Sequence, residues 1–333
     1  MKPSRRILVT GGAGFIGSHT CKLLFQSGYE PVVVDNLSTG HRRAVKWGPL
    51  IECDLRQTDV LTDMIVAWDI STVIHFAASA YVGESVRDPE KYYGNNVGGL
   101  LSLLKACRAT SVDRVIFSSS CATYGNPLQL PVSESCAQIP ISPYGRTKLV
   151  CEQILQDYQA AYGLHHVSLR YFNACGADHD GALVEDHRPE THLLPRALLA
   201  AAGARSHLDI YGTDYDTPDG TAVRDYIHVE DLARGHVMAL RYLEAGGSSQ
   251  AVNLGSGQGH SVLDVLAVIR EVTGRQVPVQ YSGRRPGDPP LLVADPALAQ
   301  SVLGFVTTRS DLATIVADAA PSFGAPRYDP VAV

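Results

Sequence analysis

Tyr144 and Lys148 stand four residues apart in Tyr144-Gly-Arg-Thr-Lys148, a segment that reads as the start of a helix. That spacing puts both side chains on one helix face. A phenol titrating near ~10 is a poor base at neutral pH, and an adjacent ammonium favours its phenolate. Each pKa unit of lowering is worth about 1.4 kcal/mol of differential interaction. Such a pair can take a proton from a sugar or alcohol hydroxyl while a nicotinamide accepts hydride from the same carbon. The spacing alone is a weak signal, because Tyr and Lys also meet this way on solvated helices. Ser120 strengthens it: the triplet Ser118-Ser119-Ser120 closes an apolar run 24 residues before Tyr144. A hydroxyl facing the pair can share the moving proton and orient the substrate hydroxyl.

The loop Gly11-Gly12-Ala13-Gly14-Phe15-Ile16-Gly17 directly follows the first apolar run and opens a helix. Gly12, Gly14 and Gly17 satisfy the GxGxxG spacing, which permits a tight turn, close approach of a pyrophosphate, and close helix–strand packing. Asp35 ends the second run 23 residues after Gly12. A carboxylate there accepts ribose hydroxyls and repels a 2′-phosphate, so NAD is expected rather than NADP. Asp54 suits a contact to the adenine. His75-Phe76-Ala77-Ala78 ends a further strand whose carboxyl end lines the crevice, with His75 itself read as a satisfied structural histidine.

The elements that must position these groups are short apolar runs bounded by turn residues: Ile7–Thr10, Pro31–Val34, Val73–Phe76, Val115–Ser118 and His166–Leu169. Amphipathic segments such as Ile16–Gln26 and Leu100–Ala109 lie between them. Strands alternating with helices predict an α/β, Rossmann-type doubly wound parallel sheet over residues 1–173. Residues 224–254 are expected to return to that domain. A smaller substrate-binding lobe is expected from 174–223 and 255–333, with helices at Leu193–Ala202 and Val262–Thr273. Composition is that of a globular chain, 45% hydrophobic and 19% charged with a net charge of −6. No Lys/Arg run suggests nucleic acid or an anionic membrane. Seven Cys without a CxxC pair argue against a disulfide framework or structural zinc, and no metal ligands are assigned. With no signal-like apolar core before the first strand and no 18-residue apolar stretch, a cytoplasmic location is the default expectation.

Together, the glycine loop and the Ser120, Tyr144, Lys148 set resemble the extended short-chain dehydrogenase/reductase superfamily. The segments TGGAGFIGSHT, DNLSTGH, VIHFAA, SPYGRTK, RYFNACGA, RDYIHV and RRPGDPP narrow the resemblance to its UDP-glucose 4-epimerase family, from Ile7 to about Phe305. The resemblance implies a tightly held NAD that is not consumed. Hydride leaves C4 of the hexose, the 4-keto sugar turns over, and hydride returns to its other face. By position, it implies catalytic roles for Ser120, Tyr144 and Lys148. It implies cofactor contacts at Gly11, Gly12, Gly14, Phe15, Ile16, Gly17, Asp35, Asn36, Asp54, Leu55, Phe76, Ala77, Ala78, Asn95 and Phe172, with Lys148 on the nicotinamide ribose. Asn173, His192 and Leu193 match positions beside the nucleotide sugar, and Tyr211 matches an aromatic that stacks on uracil. Arg224 and Arg285 match diphosphate clamps, in keeping with guanidinium–phosphate geometry, and Asp288 matches a ribose contact. Homodimerisation through paired helices is common in the superfamily and is the expectation.

Three positions depart from the family pattern: Ala80 replaces a Lys of some relatives, His192 an Asn, and Leu292 a bulky Tyr that limits the sugar pocket. UDP-pentose and UDP-N-acetylglucosamine 4-epimerases of the same family therefore stay open as alternatives. A 4,6-dehydratase needs an acid/base pair after the catalytic hydroxyl, and Cys121-Ala122 supply none.

Overall fold

The structure is a computed structural model that describes residues 5–110, 112–285 and 289–325. Its strands, in chain order, are β1 (Arg6–Thr10), β2 (Glu30–Asp35), β3 (Leu50–Glu52), β4 (Thr72–His75), β5 (Arg114–Ser120), β6 (His165–Tyr171), β7 (Asn173–Cys175), β8 (Leu208–Tyr211), β9 (Val223–His228), β10 (Gln250–Leu254), β11 (Gly259–Ser261), β12 (Val279–Ser282) and β13 (Leu291–Leu292). The α-helices are α1 (Phe15–Gln26), α2 (Thr58–Ala67), α3 (Val82–Arg87), α4 (Pro89–Tyr92), α5 (Gly98–Thr110), α6 (Pro143–Tyr162), α7 (Leu193–Ala201), α8 (Val229–Glu244), α9 (Val262–Thr273) and α10 (Leu312–Ala319).

Seven strands form one sheet in the order β3-β2-β1-β4-β5-β6-β10, and every neighbouring pair is parallel. Successive residues of a strand point to opposite faces, and here both faces are covered. Leu8, Val32, Val73 and Phe117 pack with Leu61, Leu103 and Leu155 from α2, α5 and α6. Ile7, Val9, Ile74 and Val167 pack with Leu24 and Leu240 from α1 and α8. Burial on both sides explains why the strands read as continuous apolar runs rather than alternating ones. Strand order reverses between β1 and β4, so the crevice for a ligand opens at their carboxyl ends.

After β6 the chain leaves this sheet. β9 pairs in parallel with β7 and β13 and antiparallel with β11, while β8 and β12 form a separate parallel pair. Leu194, Leu198, Ile210, Val265, Ile269 and Ile315 make the apolar core beneath these short strands. The chain re-enters the large sheet through α8, which packs on α1, and through β10. No helix among the described residues is long and apolar enough to cross a membrane. All seven cysteines are free thiols.

Candidate active site

α6 is a strongly delimited helix. The Ser142 hydroxyl caps it by accepting from the Gly145 N–H at 3.2 Å, Pro143 occupies its first position, and Gly163 ends it in the left-handed region. This start places Tyr144 and Lys148, 9% and 3% exposed, beside the carboxyl end of β5. Ser120, the last residue of β5, stands beside the Tyr144 phenol and favours its ionised form, and it accepts from the Ala122 N–H at 3.1 Å. The Lys148 ammonium donates to the Ser118 carbonyl at 2.6 Å. It lies 4.9 Å from the centre of the Phe117 ring and 5.9 Å from that of Tyr144. The structure therefore brings the three expected groups together.

It also corrects the expected electrostatics. Burial pushes the Tyr144 phenol above its ordinary value, and the Ser120 hydroxyl offsets only part of that. Lys148 directs its charge at the Ser118 carbonyl, and burial lowers it to about 8. Desolvation outweighs the attraction between ammonium and phenolate. An amine near 8 can hold or release a proton close to neutral pH.

Behind the trio runs a buried polar network that the sequence reading passed over. Glu152, one turn past Lys148, accepts from the Ser119 hydroxyl and pairs with Arg170 of β6 at 2.6 Å. Arg170 donates to the Tyr124 hydroxyl at 2.9 Å, and Tyr124 donates to Asn253 of β10 at 2.8 Å. Three adjacent strands are thus tied to the helix that carries Tyr144 and Lys148. The available signal was charge in buried register: Glu152 follows Lys148 by four, and Arg170 interrupts an apolar strand.

Gly11 has φ +72, and a Cβ there would lie 2.6 Å from the Ala77 backbone nitrogen. A Cβ on Gly17 would collide with the Gly11 carbonyl oxygen. Gly12 and Gly14 complete the turn, and Gly14 caps α1 with no side chain and no acid in the first turn, so the helix end at Phe15 and Ile16 is left for an anion. The Asp35 carboxylate accepts from the Ala13 and Leu37 N–H groups at 3.0 and 2.8 Å. Burial raises its pKa against those bonds. Asn36 donates to Asp54 at 3.1 Å, and the Arg56 guanidinium forks onto Asp54, holding it well below the usual carboxylate range. Leu55 is buried beside Asp54. Phe76, just past β4, packs on His236 at 4.5 Å, with Ala77 and Ala78 continuing along the crevice. Asn95, in a π-helical turn at Tyr93–Val97, donates to the Ser79 hydroxyl at 3.1 Å. Phe172 is buried just past β6. His75 is bonded to Thr10 at 2.7 Å, and burial lowers it to about 3. A glycine cradle that a Cβ would fill, an uncapped helix start and a buried carboxylate fit a dinucleotide.

On the far side, Asn173 is exposed at the start of β7 and Leu193 opens α7. The Arg285 guanidinium lies 4.4 Å over the Tyr211 ring. Arg224 donates to the carbonyls of Pro289 and Val223 at 2.6 and 2.7 Å. Asp288 lies outside the described residues. Leu292, 8% exposed, packs among Cys121, Tyr124, Val132, Phe172 and Ala294, and Ala80 is exposed. The His192 imidazole turns to Glu190 at 2.9 Å and Glu185 at 3.1 Å. Against the opposing effect of burial, those carboxylates raise it to about 10.

A parallel sheet in this order, with a glycine cradle at its switch point and a Ser–Tyr–Lys set beside it, defines a dinucleotide-dependent enzyme of the doubly wound class. The chain belongs to the NAD dependent epimerase/dehydratase family, whose model matches residues 7–255. It is 51% identical over 313 residues to a UDP-glucose 4-epimerase from Rhizobium leguminosarum bv. trifolii, covering 94% of this chain and 95% of that one. Among solved structures it resembles UDP-glucose 4-epimerase from Brucella ovis in complex with NAD, with 60% identity, a TM-score of 0.95, and 97% and 99% of the two chains covered. It also resembles a UDP-glucose-4-epimerase from Stenotrophomonas maltophila with bound NAD and formylated UDP-arabinopyranose, at 39% identity and TM-score 0.93 over 96% and 97%.

Proposed function

We propose that this chain is an NAD-dependent UDP-glucose 4-epimerase that interconverts UDP-galactose and UDP-glucose. The observation that carries this reading is the buried Ser120–Tyr144–Lys148 set beside the glycine crevice, in a chain similar end to end to such epimerases. Bound NAD supplies a reversible hydride acceptor for C4 of the sugar. Tyr144, as its phenolate, takes the 4-hydroxyl proton and returns it, with Ser120 bridging phenol and substrate. The Lys148 ammonium, 5.9 Å from the Tyr144 ring centre, favours that phenolate and would hold the nicotinamide ribose. Gly11, Gly12, Gly14, Phe15, Ile16 and Gly17 bind the pyrophosphate, and Asp35, Asn36, Asp54 and Leu55 the adenosine. Phe76, Ala77, Ala78, Asn95 and Phe172 wall the dinucleotide in.

The large sheet with α8 and β10 forms the dinucleotide unit, and the lobe built on β8, β9 and β12 covers the sugar nucleotide. Asn173, His192 and Leu193 border the sugar, Arg224 and Arg285 clamp the diphosphate, and Asp288 meets a ribose hydroxyl. Tyr211 stacks on uracil through one ring face while the Arg285 guanidinium lies over the ring at 4.4 Å, which keeps base and diphosphate contacts side by side. The protein acts as a cytoplasmic homodimer.

Leu292 favours a second reading, in which UDP-pentoses or UDP-N-acetylglucosamine are also epimerised. A Leu gives the turning sugar more room than the Tyr of some relatives. Incubating purified protein with a panel of UDP-sugars without added NAD, and resolving products by chromatography, tests both. UDP-glucose formed from UDP-galactose is expected. A 4-keto-6-deoxy product alone, or no turnover of any UDP-sugar, overturns the proposal.

A further inference from the structure

Between β7 and α7 the chain places four ligand-type side chains within eight residues: Glu185, His187, Glu190 and His192. One donor atom from each lies within 4.8 Å of all the others. Both histidines present the same nitrogen, Nδ1, with ring centres 4.7 Å apart. His187 Nδ1 lies 3.2 Å from Glu185 and 3.4 Å from Glu190, and His192 Nδ1 lies 3.1 Å and 2.9 Å from the same two carboxylates. A tetrahedron with metal–ligand bonds of about 2.0–2.1 Å has edges of about 3.3–3.4 Å. The four separations run from 2.9 to 3.4 Å, reaching that edge at their upper end, so a cation would spread the group slightly.

Two further observations point to a cation. Among the described residues, neither carboxylate pairs with Lys or Arg, although the Glu185 side chain is only 2% exposed and that of Glu190 11%. His187 Nδ1 is buried and lies beside both carboxylates, yet out of line for a hydrogen bond to either. A second grouping among the described residues, Asp178, His179 and Glu230, contrasts with this one. Lys22 and Arg309 already neutralise it, at 2.5 Å to Asp178 and 2.9 Å to Glu230.

We infer that Glu185, His187, Glu190 and His192 form a binding site for one divalent first-row transition cation of the zinc class. Two imidazoles and two carboxylates balance a double positive charge, and nitrogen donors disfavour Mg²⁺ and Ca²⁺. Four protein ligands leave no open position, so the site is structural. Its place fixes its role. His187 packs edge-on against Phe15 of the glycine loop at 6.2 Å, and Tyr81 flanks both imidazoles at 6.2 Å. The cation would pin the segment leading into Leu193 against the dinucleotide crevice.

The test uses untagged full-length protein treated with a chelator and then titrated with ZnCl₂ or CoCl₂. One cation per chain is expected, with the intense visible bands of tetrahedral Co²⁺ and a raised melting temperature. His187→Gln and Glu185→Gln should each weaken Zn²⁺ binding at least about tenfold, whereas His179→Gln should leave it unchanged. Substoichiometric uptake, the faint spectrum of octahedral Co²⁺, or full Zn²⁺ retention by His187→Gln overturns the inference. If a ligand variant does not fold, stoichiometry and the Co²⁺ spectrum of the unaltered protein decide alone.

Discussion

Replacing Lys148 with Met should stabilise the protein while removing its activity. The buried ammonium is lowered from 10.5 to about 8 by desolvation. At about 1.36 kcal/mol per unit, keeping it charged in the folded state costs roughly 3 kcal/mol. Met matches the stem in length and brings no charge, but it abandons the 2.6 Å bond to the Ser118 carbonyl, a loss of about 1–2 kcal/mol. The net gain is about 1–2 kcal/mol, or a rise of roughly 1–3 °C in melting temperature for a chain of this size. The sign depends on pH. Below pH 8 folded and unfolded chains both carry the proton, and the penalty is full. Between 8 and 10.5 the folded chain releases its proton first, so the unaltered protein gains stability as pH rises. The advantage of Lys148→Met shrinks across that window and reverses above it, leaving only the lost hydrogen bond. Melts of dinucleotide-free protein at pH 7 and pH 10.5 measure both limits. A variant less stable than the parent at pH 7, or an advantage that does not fall with pH, refutes the argument.

Tyr144→Phe removes only the phenol oxygen that stands beside Ser120. It should lower kcat by about 10²–10⁴-fold while retaining co-purifying NAD, and a near-native rate would exclude Tyr144 as the proton acceptor. Gly17→Ala drives a methyl into the Gly11 carbonyl and to 2.9 Å from the Gly12 Cα. It should cost about 1–3 kcal/mol and release NAD on gel filtration; full retention of NAD would show that the loop gives way without reshaping the cradle. Glu152→Gln leaves the Arg170 guanidinium buried without its carboxylate. A loss of about 3–5 kcal/mol in urea denaturation is expected, and a loss below about 1 kcal/mol would mean that Tyr124 and water suffice.

Five strands of the large sheet, β1, β2, β4, β5 and β6, were legible because they are apolar on both faces and end at turn residues. Only edges moved: Phe76, expected inside a strand, lies one residue past β4. The glycine loop and the trio were legible because their chemistry depends on local spacing. The sheet around β9 was not, since its partners are short strands far away in the chain, too brief for periodicity to register. The state of Lys148 was also hidden, because spacing alone does not say how deeply a side chain is buried. Glu152 and Arg170 drew no reading from the sequence, because their burial depends on β5 and β6 lying side by side under α6. The His187 and His192 grouping carries no cysteine and lies in a loop, so neither thiolate spacing nor periodicity marks it.

The late entry of β10 into the large sheet bears on how the chain can be made. During synthesis, β6 emerges long before the strand that will cover its open edge. α8, which shields Val167 and Leu169 on one face, is equally late. A nascent chain that has reached Asn173 therefore holds a nearly complete sheet with an unpaired edge and an uncovered apolar face, the combination most prone to wrong association. The lobe carrying β7, β8 and β9 must loop out and let the following segment return before that surface closes. Translation of residues 229–254 is thus the step that completes the large sheet, which is not built from one continuous stretch of chain.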